Sequence, residues 1–398
     1  MSLNDVVSAE RVHIGFFGLR NAGKSSLVNA VTGQSLAVVS DVRGTTTDPV
    51  QKAMELLPLG PVVIIDTPGL DDEGDLGQLR VQRAEQTLNK TDIAVLVVDA
   101  TVGLTEPDRA LQERLSARKL PFLIAFNKAD LLPQRSADGL PADAIYVSAV
   151  TGEGVHALKE RLAALAKGQT KEKRLLADLL SPGDHVILVT PIDESAPKGR
   201  LILPQQQTLR EVLDVHCTCS VCQDTELTEL LTLLKTPPRL VITDSQAFER
   251  VAKLVPESVP LTSFSLLFAR YKGDLPALIA GAEALRTLKD GDRVLISEGC
   301  THHRQCNDIG TVKLPGWIRQ YTGANPEFCF TSGGEFPEDL TGIRLIVHCG
   351  GCMLSDKQMQ YRQQRAKEAG VPMVNYGAAI AQMHGVLPRS LAPLMKSL

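Results

Sequence analysis

Residues Gly18 to Ser25 read G-x-x-x-x-G-K-S within the run GLRNAGKSS. Residues of these types at this spacing wrap phosphates: the glycines let backbone N–H groups turn inward, and the start of the following helix adds partial positive charge. Asn21, Ala22, Gly23, Lys24, Ser25 and Ser26 form the expected cradle, with Lys24 reaching the β- and γ-phosphates and Ser25 ligating Mg²⁺. Four more runs follow in an order that extends this chemistry. In GTTTD (44–48), Thr46, or failing it Thr45, is placed to sense Mg²⁺. In DTPG (66–69), Asp66 suits the Mg²⁺ shell and the Gly69 N–H suits the γ-phosphate. In NKAD (127–130), the Asp130 carboxylate can accept from guanine N1–H and the exocyclic amine, a pair adenine does not offer. Asn127 holds the loop and the base edge, and the Lys128 stem packs along the ring. In VSA (147–149), Ser148 and Ala149 lie where a backbone N–H can face guanine O6. The groups expected at the reacting phosphate are therefore Lys24, Thr46, Asp66 and Gly69.

A second chemistry sits late in the chain. The run EGCTHH (298–303) places Cys300 two residues before His302, and HCGGC (348–352) places His348 against Cys349 and Cys352. The two glycines let the backbone fold tightly round a metal centre. The helix expected to follow puts the thiols near an N-terminus that favours thiolate. A zinc site, a three-thiolate [4Fe-4S] cluster and a dithiol redox pair can all be built from such residues, and the residues alone leave zinc and cluster open. A third group, HCTCSVC (216–222), contains Cys217, Cys219 and Cys222, but it falls where a strand is expected. Cysteine is also a good small core residue, so packing is the better reading there, as for Cys306 and Cys329.

The elements that position these groups are strands running into loops. VHIGFFG, VVIIDTPG, IAVLVVDA, FLIAFNKAD and AIYVSA are near-continuous apolar runs, as expected of a parallel sheet covered on both faces. A helical stretch from GEGVHALKERL to LADLL, ending at SPGDH, closes this first part. A middle part follows, with strands HVILVTPID and RLVITD and helices QTLREVLD and SQAFERVAKLV, the last with Ser245 as N-cap. In the final part DRVLISEGC, IRLIVHCGGC and VPMVNYG each read as a strand delivering polar groups at its carboxyl end, where open α/β sheets bind ligands. The fold class is α/β, with domains expected at 1–170, 171–265 and 266–398.

Composition sets the class. The chain has 398 residues, of which 43% are hydrophobic and 22% charged, with a net charge of −4, which argues against a broad nucleic-acid surface. The KEKR run (171–174) reads as a solvated linker face. The N-terminus shows no signal-peptide pattern and no apolar run is long enough to span a bilayer, so the expected location is the cytoplasm, without membrane association. Eight cysteines in that compartment favour metal binding or catalysis over disulfides.

The five ordered motifs resemble the translation-factor-related GTPases, and within them the branch that includes Era and MnmE, over about residues 10–165. Where Ras-like switches carry a water-orienting glutamine after D-x-x-G, this chain has Leu70. Asn21 stands where the resembling branch binds K⁺, so the resemblance implies slow, Mg²⁺-dependent, K⁺-stimulated GTP hydrolysis. The spacing of Cys300-x-His302 from His348-Cys349-x-x-Cys352, behind such a domain, resembles the HydF family, the GTPases required to mature [FeFe]-hydrogenase. TPIDESAPKGRLILPQ (190–205) and VITDSQAF (241–248) extend the resemblance nearly end to end. It implies a P-loop GTPase domain, a small α/β dimerisation domain and an α/β cluster-binding domain. It further implies a [4Fe-4S] cluster on Cys300, Cys349 and Cys352, with His302, His303, His348, Asp193 or Glu194 as candidates for the fourth position. A homodimer is implied, working with radical-SAM maturases and the hydrogenase apoprotein as scaffold or carrier of the two-iron subcluster. The alternative is an RNA- or ribosome-associated Era/MnmE-like GTPase with a structural zinc site.

Overall fold

The computed structural model describes residues 11–34, 50–67, 86–132, 140–169, 174–192, 201–299, 308–334 and 336–395. It divides into two compact units, Met1–Lys171 and Glu172–Leu398. Thr45, Thr46, Gly69, Asp193, Glu194, Cys300, His302, His303 and Cys306 lie outside the described residues.

The first unit is built on a six-stranded sheet of order β2-β3-β1-β4-β5-β6. Its strands are β1 (Val12–Phe17), β2 (Val50–Leu56), β3 (Gly60–Asp66), β4 (Ile93–Asp99), β5 (Phe122–Asn127) and β6 (Ala144–Tyr146). β2 pairs antiparallel with β3, and every other pairing is parallel. Residues 93–98 of β4 are all buried because both faces of the sheet are covered, as the unbroken apolar runs predict. Ile14, Phe16, Val95 and Val97 pack with Leu27 and Val31 of helix α1 (Lys24–Thr32) on one face. Phe17, Leu96 and Val98 pack with Leu111 and Leu115 on the other. The carboxyl ends of β1, β3, β5 and β6 therefore carry the phosphate loop, Asp66, Asn127 and residues 147–149 to one edge.

The second unit holds two all-parallel sheets of four strands. One has the order β10-β9-β7-β8, from β7 (His185–Val189), β8 (Thr218–Cys222), β9 (Leu240–Thr243) and β10 (Leu261–Ser263). The other has the order β12-β11-β13-β14, from β11 (Arg293–Ser297), β12 (Glu327–Thr331), β13 (Ile343–His348) and β14 (Met373–Asn375). Val186 and Leu188 of the first sheet share one hydrophobic core with Val294, Leu345 and Val347 of the second, through Phe264, Leu267 and Phe268 of the helix Phe264–Lys272. The two sheets thus pack into one compact unit through that helix. No helix among the described residues is long and apolar enough to cross a membrane.

Two local expectations are corrected. The helix read from residue 152 to Leu180 ends at Gln169. Beyond the gap, the N–H groups of Leu175, Leu176 and Ala177 donate to the Glu211 carboxylate, which holds a short 3₁₀ turn in place of helix. Ser245 does not cap the helix Phe248–Leu254. It begins a 3₁₀ turn, and its hydroxyl donates to Ser265 Oγ at 3.0 Å.

Candidate functional site

The phosphate loop is shaped by residues with positive φ. Gly18, Asn21 and Gly23 have φ of 145°, 61° and 84°, a backbone that glycine adopts freely and asparagine tolerates. A Cβ on Gly23 would lie 2.3 Å from Asn127 Nδ2, so this position needs glycine for space as well as for conformation. Lys24 is buried, and its Nζ donates to the carbonyls of Gly18 and Leu19 at 3.0 and 2.6 Å, which curls the loop round its own ammonium. Ser25 Oγ donates to Asp66 Oδ2 at 2.7 Å. Asp66 is 3% exposed and its Oδ1 has no hydrogen-bond partner. Burial pushes its carboxyl up, against the Ser25 hydrogen bond and the Lys24 charge. A buried carboxylate oxygen without a donor, beside a serine hydroxyl, fits a Mg²⁺ ion, whose ligands are hard oxygens.

The base side is tied to this loop by one side chain. Asn127 Nδ2 donates to Ala22 O at 3.0 Å, and its Oδ1 accepts from the Ala149 N–H at 3.0 Å. The Ser148 N–H donates to Glu153 O at 2.9 Å. Both N–H groups expected to face guanine O6 are thus engaged within the protein. Lys128 Nζ meets Asp99 Oδ2 at 2.6 Å. Burial raises the Asp99 carboxyl, but hydrogen bonds from Lys128 and Thr101 outweigh it and hold it below the ordinary range. Asp130 is exposed, its carboxylate open to a ligand edge.

At the carboxyl edge of the last sheet, the Cys349 N–H donates to Ser297 O at 2.9 Å, which pins the thiol loop to the end of β11. Cys349 Sγ accepts from the Gly299 N–H at 3.0 Å and the Gly351 N–H at 3.4 Å, donors that suit a thiolate. Gly351 has φ of 63°, and a Cβ there would lie 2.7 Å from Met359 Sδ. Burial pushes the Cys352 thiol up while the Lys272 charge draws it down. The net rise departs from the thiolate-favouring expectation. It reflects burial at the loop, whose helix begins only at Asp356 behind the Ser355 cap. Two thiols, converging N–H donors and nearby buried cations fit an anionic thiolate-bound centre. Among the described residues no three His, Cys, Asp or Glu side chains converge as a metal site. Cys300, which follows Gly299 directly, is the member outside them.

His348 is corrected as a candidate ligand. Its side chain is fully buried, its Nδ1 bonds Cys349 O at 2.6 Å, and its Nε2 faces Arg362 Nη1 at 2.8 Å. A guanidinium only donates, so Nε2 accepts and Nδ1 carries the proton. Burial and the Arg362 charge push the imidazole down to about 3, so it is neutral. Neither nitrogen is left for a metal.

Three family models cover most of the chain. Residues 13–128 match a 50S ribosome-binding GTPase, residues 175–273 the hydrogen maturase F dimerization domain, and residues 276–393 the hydrogen maturase F tetramerization domain. The chain belongs to the hydrogen maturase F family. Its first unit is a GTPase domain with relatives elsewhere. The tRNA modification GTPase MnmE of Nitrosomonas europaea is 37% identical over 163 residues, 40% of this chain and 36% of that protein. GTPase Era of Rippkaea orientalis is 31% identical over 225 residues, 55% of this chain and 69% of that protein. The chain thus spans little more than a third of the MnmE relative it matches. Among solved structures, Aquifex aeolicus Era bound to GDP·AlF₄⁻ aligns with a TM-score of 0.36 at 20% identity, over 56% of this chain and 98% of that one.

In this hydrogen maturase F chain the cysteine-rich run lies on β8, the edge of the dimerization-domain sheet. Cys217 is buried and its Sγ donates to Ser181 O at 3.0 Å, while Cys219 and Cys222 pack partly buried against the core. Burial pushes both of these thiols up to about 11, helped at Cys222 by Glu226 and Asp224. Sequence reasoning missed the groups behind the thiol loop: Lys272, Arg362 and the buried Glu298, which accepts from the Tyr376 hydroxyl at 3.2 Å. The signal available was a basic residue in a helix otherwise rich in core positions, SLLFARYKG.

Proposed function

We propose that this chain is a GTP-hydrolysing scaffold or carrier that holds a [4Fe-4S] cluster and assembles or delivers the two-iron subcluster of [FeFe]-hydrogenase. The observation that carries the cluster reading is the Cys349 thiol, which accepts from the N–H groups of Gly351 and of Gly299, the residue directly before Cys300. Cys300, Cys349 and Cys352 would be its ligands. With His348 engaged, His302 and Asp193 are the remaining first candidates for an exchangeable fourth position. The cluster would supply an iron with a labile site, able to bridge a delivered precursor.

In the GTPase domain, Lys24 and the loop N–H groups would hold the β- and γ-phosphates, while Ser25, Asp66 and Thr46 would hold Mg²⁺. The Gly69 N–H would meet the γ-phosphate, and Asn127, Lys128, Asp130, Ser148 and Ala149 would frame the base. Water attacks the γ-phosphorus, the bond to the β-phosphate oxygen breaks, and Lys24 with Mg²⁺ offsets the charge that gathers there. K⁺ at Asn21 would add to that charge compensation. The dimerization and tetramerization domains support work as a homodimer or a dimer of dimers. Radical-SAM maturases and the hydrogenase apoprotein would be its partners.

Anaerobic purification and reconstitution with iron and sulfide test this reading. The expected result is a brown protein with four irons and four sulfides per chain (about that stoichiometry follows from the cluster type). Replacing Cys300, Cys349 or Cys352 should remove the cluster and spare GTP turnover. A colourless protein that keeps one zinc and takes up no sulfide would support the zinc-site alternative.

A further inference from the structure

Lys272 is the last residue of the helix Phe264–Lys272 and is 6% exposed. Lysine is among the residues least often buried, because an ammonium loses several kcal/mol of hydration in an apolar interior. Its Nζ donates to Leu354 O at 2.9 Å and Gly351 O at 3.3 Å. These carbonyls bracket Cys352 in sequence. The helix end that carries Lys272 favours a cation, and the loop it grips is the one that presents the thiols. Arg362, 1% exposed, reaches the same loop from the other side through His348.

Two roles are open to a buried ammonium here. It can serve only as a donor to two carbonyls, which a neutral amide could also do. Or its charge can matter, because thiolates bound to a metal centre gather negative charge in a place water does not reach. A neutral donor at this depth would need far less desolvation. The presence of a full charge at this depth, against the loop that carries Cys352, is what distinguishes the two roles.

We propose that Lys272 is a positioning residue of the thiol centre, whose buried ammonium fixes the Gly351–Leu354 loop and offsets the negative charge of the thiolate-bound cluster. This rests on the cluster reading above. A cation fixed beside the centre stabilises its more negative, reduced form, so it raises the reduction potential and slows loss of iron.

The test is a comparison of full-length, reconstituted wild type with Lys272→Gln, Lys272→Met and Lys272→Arg. The midpoint potential is read by dithionite titration with electron paramagnetic resonance, and iron retention by the rate of loss to EDTA. Lys272→Gln, which keeps amide donors and removes the charge, should fold even where Lys272→Met does not. Circular dichroism and urea titration of each full-length variant report whether the second unit is intact. The expected result is a potential shifted to more negative values and iron loss faster by on the order of tenfold in the Gln and Met variants, with Arg close to wild type. Wild-type potential and retention in Lys272→Gln would overturn the role of the charge, as would an Arg variant that behaves like Gln. A wild type that binds no iron and sulfide would instead overturn the cluster reading itself.

Discussion

Arg362 Nη1 donates to His348 Nε2 at 2.8 Å, with both side chains withdrawn from solvent. The same guanidinium reaches Ser297 Oγ at 3.2 Å and Gly333 O at 2.6 Å, so one helix side chain ties the ends of β11 and β13 to the loop after β12. His348 passes that order to the Cys349 carbonyl through Nδ1. The histidine before the thiols therefore sets their backbone, with both ring nitrogens engaged within the protein.

Arg362→Met should leave the Gly333 carbonyl and the His348 nitrogen buried without a donor. Each such orphan costs about 1–3 kcal/mol. The expected outcome is a loss of roughly 2–6 kcal/mol in the denaturation of the second unit, with GTP turnover close to wild type. Equal stability of variant and parent in a urea titration would show that this stitching does not hold the edge.

Gly23→Ala should abolish nucleotide binding while the protein remains folded. The added methyl must enter a space 2.3 Å from Asn127 Nδ2, at a φ of 84° that alanine resists. The shift displaces both the phosphate loop and the side chain that links it to Ala149. Fluorescent GTP titration, with circular dichroism as the folding control, reads the result. Binding within threefold of wild type would mean that the loop opens freely.

Asp66→Asn separates stability from activity. In the nucleotide-free protein the buried Oδ1 has no donor, and burial raises the carboxyl. A carboxyl raised in the fold binds its proton more tightly there than in the unfolded chain. That contribution is present at low pH and is lost as pH rises past the unfolded value, which leaves a cost at neutral pH. Asparagine removes the charge, so the thermal midpoint without Mg²⁺ should rise. Mg²⁺-dependent GTP turnover should fall by about 10²-fold or more. A lower midpoint would contradict the cost assigned to the carboxylate.

How much of this was legible in the sequence follows from what each feature depends on. Five strands of the GTPase sheet were legible because strands such as β4, buried on both faces, must be apolar throughout. The antiparallel edge strand β2, with exposed polar residues, was not. The phosphate loop, Asp66 and Asn127 were legible because each ends such a strand and its chemistry fixes its type. The partner of His348 was not, since Arg362 lies 14 residues on, on a different element, and no local pattern pairs the two. That Phe264 and Phe268 pack against both four-stranded sheets was equally hidden, because they look the same whether they serve one sheet or two.

Asn21 offers a test that uses salt alone. It holds φ of 61° and an exposed side chain in the loop, where a monovalent cation can add positive charge beside the phosphates. GTP turnover should be faster in K⁺ than in Na⁺ at equal ionic strength, and Asn21→Ala should erase that difference. Equal rates in the two salts for the parent protein would reject the role.

The cysteines of β8 should behave as core residues. At pH 8 a thiol raised to about 11 carries roughly a hundredfold less thiolate than one at the ordinary 9.0. Iodoacetamide labelling of Cys219 and Cys222 should therefore be slow at pH 8 and accelerate only as pH climbs toward 11, followed by mass spectrometry of the native protein. The folded thiols hold their protons more tightly than unfolded ones, so the linked stability is intact below about pH 9 and declines between about 9 and 11. Cys219→Ala and Cys222→Ser should leave iron content unchanged, because these side chains pack on the Val186 and Leu188 sheet and join no cluster of metal-ligating side chains among the described residues. Fast labelling at pH 7, or loss of iron from either variant, would return HCTCSVC to the list of metal ligands.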